Sequence, residues 1–284
     1  MMAQLDKETL PEEVRRIPLR RDWSQLIDDL RYVGSTAVQI SNELSTQSFC
    51  GIDASRLLSG ECVNLRHQQF YLDAAVNSWS HAFAAEQLDA AGYRYAVRIY
   101  NSEDDCLLVI QLDGESARDH FEALVSLYAD NNSVPGSDCA RCERGSCERS
   151  ASCQRMDEPA LAFDPALVPE LLEVLTDNAM PLLVSVEKAH ARHCYEGVLS
   201  CFRQYRDACI LFDQGYSLSI LHAKIGRACL SSAGTPAGCR AVQLYDARYR
   251  RALTLALSPC AAAAEVTKWR KITASLATAA GTIF

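Results

Sequence analysis

Between residues 95 and 112 the chain reads YAVRIYNSEDDCLLVIQL: an alternating apolar run, a polar turn, then a second apolar run. Residues 240–257, RAVQLYDARYRRALTLAL, repeat that pattern without a gap. Ala96, Val97, Tyr100, Leu108 and Leu112 coincide with Ala241, Val242, Tyr245, Leu253 and Leu257. Ile99 meets Leu244, and Asn101 meets Asp246. Period-two alternation on either side of a polar turn predicts a β-hairpin in each copy. A helical pattern follows both, with Phe121, Leu124, Leu127 and Tyr128 in the first and Trp269, Ile272 and Leu276 in the second. The two copies start 145 residues apart, at 95 and 240. That is too long for a solenoid repeat, so the pattern predicts a duplicated module.

The remaining periodicities fill in the two modules. Residues 1–21 form a charged lead with two prolines. The first module, 22–129, opens with a helical SQLIDDL. Strand-like TAVQIS, VNLR, QFYLDAA and SHAFAAE follow, before the hairpin and helix. Residues 130–160 are nearly devoid of apolar side chains and read as a linker or a small ligand-held insertion. The second module, 161–284, offers the helix PALVPELLEVLTDN and the strands PLLVSVE, ACILFD, YSLSILH and GRACLS ahead of its hairpin. Many antiparallel strands with helices at the module ends predict an α+β protein. Its two homologous halves would each be an antiparallel sheet backed by helices. Such a chain could mimic a dimer within itself, so a monomer or weak dimer is expected.

Composition narrows the function classes. A net charge of -8 argues against nucleic acid or an anionic membrane as the main partner. No apolar run approaches the roughly 18–20 residues of a membrane-spanning helix. The polar start MMAQLDKETLPEEVRR predicts no signal peptide and hence a cytoplasmic location. In that reducing setting thirteen cysteines are not expected to form a disulfide framework. Most sit in apolar stretches, where free cysteine behaves as a small hydrophobe. There is no Gly-rich phosphate loop, HExxH or GxSxG, so nucleotide, zincin and serine-hydrolase readings lack support.

Several stretches, in order, carry a family resemblance. Asp22-Trp23 with Leu26, Leu30 and Gly34 resembles a "DWPALLxxLxxLG" opening, and Ser41-Asn42-Glu43 resembles "TRNE". Trp79 to Glu86, WSHAFAAE, resembles "WxHxFAxE". Pro181 to Val186 with Gly197 resembles "PIMVFV…G", and Leu211-Phe212-Asp213 through Ile220 resembles "VLDPDFNLHL". Both hairpins resemble "SLQFFDxxG…V". Together these resemble the cytoplasmic haemin-degrading factor or haemin-transport (HemS-like) family, over most of residues 22–276. The resemblance implies a haem-binding fold of two homologous halves. It also implies a role in carrying imported haem or opening its ring, with a haem importer or haem-receiving protein as partner.

The departures bear on activity. The family's proximal histidine between the halves has no counterpart, since no histidine occurs from Phe121 to Ala189. The histidine expected after "TRNE" falls on Gln47. The family's "VGNRGCxQIHxG" becomes Val186 to Gly197 with only its ends retained, and an expected arginine is missing from Cys229-Leu230-Ser231-Ser232. The resemblance therefore carries the fold further than it carries ring-opening catalysis.

Two constellations could hold a ligand. Cys139-x2-Cys142-x4-Cys147-x5-Cys153 places four thiols on a polar backbone. Thiolates suit Zn²⁺ or an iron–sulfur cluster, and Arg141, Arg144, Arg149 and Arg155 would favour the thiolate forms. A flexible, oxidisable tether is the plainer reading. For haem, His81, His190, His193 and Tyr195 are the candidate axial ligands, because neutral imidazole and tyrosinate both bind haem iron. Alternation places His81 with Trp79 and Phe83 on one face; it places His193 with Tyr195, and His193 ranks first. The plainer readings are a hydrogen-bonded strand histidine at 81 and an exposed polar strand end at 190–197. Haem trafficking in iron acquisition is the expected function. The alternative is a non-haem relative whose metal-held linker serves as a protein-interaction module.

Overall fold

The computed structural model describes residues 12–30, 32, 36–52, 62–67, 69–89, 92–114, 116–130, 161–188, 191–232 and 239–280. The first half contributes β1 (Glu12–Leu19), α1 (Trp23–Leu30), β2 (Thr36–Ser41), β3 (Ser45–Ile52), β4 (Cys62–His67) and β5 (Phe70–Ala75). It continues with β6 (His81–Asp89), β7 (Gly92–Tyr100), β8 (Cys106–Leu112) and α2 (Ala117–Tyr128). The second half contributes β9 (Leu161–Phe163), α3 (Val168–Asp177), β10 (Pro181–Lys188), β11 (Ala191–Val198) and β12 (Cys201–Gln204). Next come β13 (Cys209–Asp213), β14 (Tyr216–Ile220), β15 (Arg227–Ser231), β16 (Ala241–Tyr245), β17 (Arg251–Leu257) and α4 (Ala263–Ala280).

Among the described residues the strands form two antiparallel sheets. The nine-stranded sheet runs β1-β6-β7-β8-β2-β3-β14-β13-β12, and the eight-stranded sheet runs β4-β5-β11-β10-β17-β16-β15-β9. Read backwards, the second order is β9-β15-β16-β17-β10-β11-β5-β4, which matches the first eight strands of the larger sheet and leaves its last strand, β12, without a counterpart among the described residues. The two repeated hairpins, β7–β8 and β16–β17, therefore occupy equivalent positions. One feature lies beyond the sequence pattern: each sheet borrows strands from the other half. Strand β14 of the second half pairs with β3 through Tyr216↔Phe49, and β5 of the first half pairs with β11 through Phe70↔Tyr195. The fold is α+β with duplicated halves, and the exchange interlocks them.

The equivalence extends to atoms in the hairpin turns. The Asn101 side-chain oxygen accepts from the amides of Glu103 and Asp105; Asp246 accepts from Arg248 and Arg250 in the same way. This short-range capture of backbone N–H groups is why Asn and Asp favour turns. Both turns place their fourth residue in the left-handed region, Asp104 at φ 62° and Tyr249 at φ 59°. Both ladders shift register at the same point, between Ile99 and Tyr100 and between Leu244 and Tyr245.

Helical period buries one face of each helix against the sheets. Leu26, Ile27 and Leu30 of α1 and Val168, Leu171, Leu172 and Leu175 of α3 are buried. Phe121 of α2 packs on Tyr95 of β7 at 5.0 Å between ring centroids. Trp269 of α4, fully buried, donates its indole N–H to the Arg240 carbonyl at 2.7 Å. Position 240 corresponds to 95 in the repeat, so both long helices anchor at the same place. The Asn42-Glu43 pair singled out in the sequence ties the halves together. Asn42 Nδ2 donates to the carbonyls of Glu187 (3.1 Å) and Ala252 (2.7 Å), while Glu43 meets Arg250 at 2.7 Å. No helix among the described residues is long and apolar enough to cross a membrane.

Candidate functional site

Two polar clusters stand out: one enclosed between the sheets, one on an outer face. The enclosed cluster sits where β3 and β14 meet β5 and β11. Gln47 and His193 occupy equivalent positions, because Val38↔Phe49 and Ile40↔Gln47 in one half match Val184↔Tyr195 and Val186↔His193 in the other. The two side chains meet each other, with His193 Nδ1–H donating to Gln47 Oε1. The amide oxygen can only accept, which places the proton on Nδ1. Gln47 Nε2 donates in turn to the Tyr216 hydroxyl at 2.5 Å.

Aromatic rings close the cluster on both sides. Phe70 lies edge-on to His193 at 4.3 Å, Phe49 stacks on Phe70 at 4.9 Å, and Tyr195 stacks on Tyr216 at 3.8 Å. The Tyr195 hydroxyl donates to Asp213. His193 has no exposed surface, and burial pushes its pKa down to about 3, so it is a neutral imidazole. Its Nε2 is enclosed without a hydrogen-bond partner. Burial and the Asp213 carboxylate push the Tyr195 phenol well up, which keeps it protonated.

This arrangement differs from the expectation that His193 and Tyr195 line a cleft as axial ligands. Their segment is a central strand, not an exposed end, because β5 from the other half covers its open edge. Neither side chain presents a lone pair where a porphyrin could approach. His190 lies outside the described residues, as do Cys139, Cys142, Cys147 and Cys153. Among the described residues no group of three or more His, Cys, Asp or Glu is placed to hold a metal ion.

The second cluster lies around His81 at the start of β6. Trp79 precedes the strand and turns into the core against Trp23, with ring centroids 5.9 Å apart. His81 and Phe83 instead share the opposite, half-buried side, so alternation holds for this pair and fails for Trp79. The His81 ring lies parallel to Tyr100 at 5.1 Å and edge-on to Phe83 at 5.4 Å. Its Nε2 meets Asp104, on the hairpin tip, at 3.1 Å. Partial burial lowers the His81 pKa; Asp104 acts against that, and Arg16 and Arg21 add to it.

Two arginines complete this face, and sequence reasoning missed both. Arg16 places its guanidinium carbon 3.8 Å from the Phe83 ring centre and 5.5 Å from that of Tyr100. It comes from β1, an edge strand concealed in the charged lead; the confinement of Pro18 to an edge is the sequence signal that fits it. Arg98 lies directly across from Phe83 in β7. Its Nη1 reaches Glu13 at 3.2 Å, and Arg16 Nε lies 4.0 Å from the same residue. Burial pushes the neighbouring Tyr100 phenol up to about 12.

No protein-family model and no curated protein sequence matches the chain. Among solved structures the duplicated double-sheet architecture has clear counterparts, and they share the fold expected from the HemS-like motifs. Holo-PhuS, a heme-binding protein from Pseudomonas aeruginosa, is 16% identical with a TM-score of 0.71, covering 93% of this chain and 87% of its own. ChuS, a heme degrading enzyme of Escherichia coli O157:H7, is 18% identical with a TM-score of 0.73 at the same coverage.

Proposed function

We propose that this chain is a haem-binding protein of the cytoplasm that serves haem trafficking in iron acquisition. The observation that carries the reading is the shared fold: 93% of the chain superposes on a heme-binding protein and on a heme-degrading enzyme. Binding rather than ring opening is the function proposed, since the family's histidine and arginine positions are replaced in this sequence.

Titration of the purified protein with haemin tests it. Saturable binding near one equivalent, with a shifted Soret band, is the expected result. Absence of any saturable binding overturns the reading. Metal analysis of the wild-type and Cys142→Ser proteins would then decide the alternative, in which Cys139, Cys142, Cys147 and Cys153 hold zinc or an iron–sulfur cluster and the module binds a protein.

A further inference from the structure

Equivalent positions of the two sheets have diverged in side chain and in burial: Cys229, Gln243 and Tyr245 are buried, whereas His81, Phe83 and Arg98 are partly exposed. In the nine-stranded sheet the ladder sets His81 opposite Tyr100 and Phe83 opposite Arg98. In the eight-stranded sheet the same positions hold Arg227 opposite Tyr245 and Cys229 opposite Gln243. Only the first face combines two aromatic rings, a histidine and, with Arg16, two guanidinium groups. The arginines bring two guanidinium groups together on one face. The acids facing it are Glu13, which contacts both arginines, and Asp104, at His81.

The arginines are incompletely satisfied. Arg16 Nη2 and Arg98 Nε are buried without a hydrogen-bond partner. Unpaired buried donors are uncommon, because each loses hydration without compensation. Yet the side chains as wholes are 26% and 23% exposed, so both guanidinium groups lie next to solvent. His81, also 26% exposed, has Nε2 turned to Asp104. A histidine whose one nitrogen donates to a carboxylate has the other available as a ligand, with the carboxylate fixing the ring.

We infer that this outer face, built from Arg16, His81, Phe83, Arg98 and Tyr100, is the binding site for a flat carboxylate-bearing macrocycle. On the reading proposed above, on which this rests, that molecule is haem. Its carboxylates would pair with Arg16 and Arg98, its ring would lie against the partly exposed Phe83, and His81 would be the protein's ligand to iron. Guanidinium groups suit carboxylates because two N–H donors match two oxygens.

Haemin and haemin dimethyl ester, which lacks the free carboxylates, are titrated into wild type, Arg16→Gln, Arg98→Gln, His81→Ala and Arg227→Gln, each checked for wild-type circular dichroism. Arg16→Gln and Arg98→Gln should each weaken haemin binding by about tenfold while leaving the weaker ester binding unchanged. His81→Ala should move the Soret band, and Arg227→Gln on the equivalent face should do neither. If wild type binds haemin and the arginine and His81 variants match it, or if Arg227→Gln is the one that fails, this site is wrong and the haem reading stands. If wild type binds no haemin, the haem reading itself is lost. Should Arg16→Gln misfold, Arg98→Gln and the ester comparison decide.

Discussion

Acidification should destabilise this protein through one enclosed side chain, His193. Its pKa falls from an ordinary 6.5 to about 3 because complete burial between the sheets penalises the charged ring. Unfolding returns the ring to solvent, where it takes up a proton below pH 6.5. The depressed native pKa means that the unfolded state binds more protons, so stability is full above about pH 6.5 and is lost as pH falls. Below about pH 3 the native imidazole would be protonated too, and the dependence ends. One proton corresponds to ~1.4 kcal/mol per pH unit, so acidification from about 6.5 to about 4.5 should cost between about 2 and 3 kcal/mol. Carboxylates also titrate in this window, so the informative quantity is the difference from His193→Gln. Glutamine is the residue that already fills the equivalent position at 47, and it has no titrating proton. Urea unfolding of both proteins at neutral and acid pH, followed by circular dichroism, supplies that difference. The variant should start less stable, by about 1–3 kcal/mol, and then lose less on acidification. Equal losses in the two proteins, or a His193 resonance titrating near its ordinary value, would refute the assignment of a neutral buried ring.

Three further outcomes follow from the junction of the halves and from the second hairpin turn. Asn42→Ala removes two donors to the second half and the acceptor for the Leu44 and Ser45 amides, and should cost about 2–4 kcal/mol by urea midpoint. Asp246→Ala leaves two turn amides without their acceptor and Arg250 without a 2.8 Å partner, and should cost about 1–3 kcal/mol, lowering Tm. Gly226→Ala would press its methyl against the Asp246 carbonyl, and backbone cannot swing aside as a side chain can. Its expected cost is about 1–3 kcal/mol, read by thermal melting.

The duplication was legible because its signal is local. An alternating strand, a turn acid or amide at 101 and 246, and a second strand can be read from eighteen residues at a time. The strands TAVQIS and PLLVSVE and the helices on either side were readable for the same reason. Strand β3, STQSFCGI, escaped because a polar interior residue, Gln47, interrupts its apolar face. That interruption makes sense only once His193 and Tyr216, remote in sequence, are seen to meet it. The exchange of strands between halves has no local signature, since β5 and β14 look like ordinary half-buried strands wherever they pair. The burial of His193 was not legible for the same reason, because the strand that covers it belongs to the other half. His81 was legible as a candidate, but its arginine neighbours were not. Arg16 sits in a lead that reads as charged tail, and Arg98 faces a glutamine in the repeat alignment.

Duplication also explains why divergence falls where it does. The inner positions must fill one shared core, so they change in compensated pairs. Phe49 and Phe70 stack in one half where Tyr195 and Tyr216 stack in the other, and the added hydroxyls are met by Asp213 and Gln47. The junction residues Gln47 and His193 are constrained still further, because each is the other's partner across the pseudo-symmetric contact. The positions across β6–β7 and β15–β16 are not partners of one another between the halves. At His81 and Arg227, Phe83 and Cys229, Arg98 and Gln243, the two copies differ in charge, size and ring character while the ladder beneath keeps its register. A symmetric scaffold can thus leave one set of equivalent side chains partly exposed and bury the other. The interior therefore reports how the chain is held together, and the difference between its two faces directs the search for what it holds.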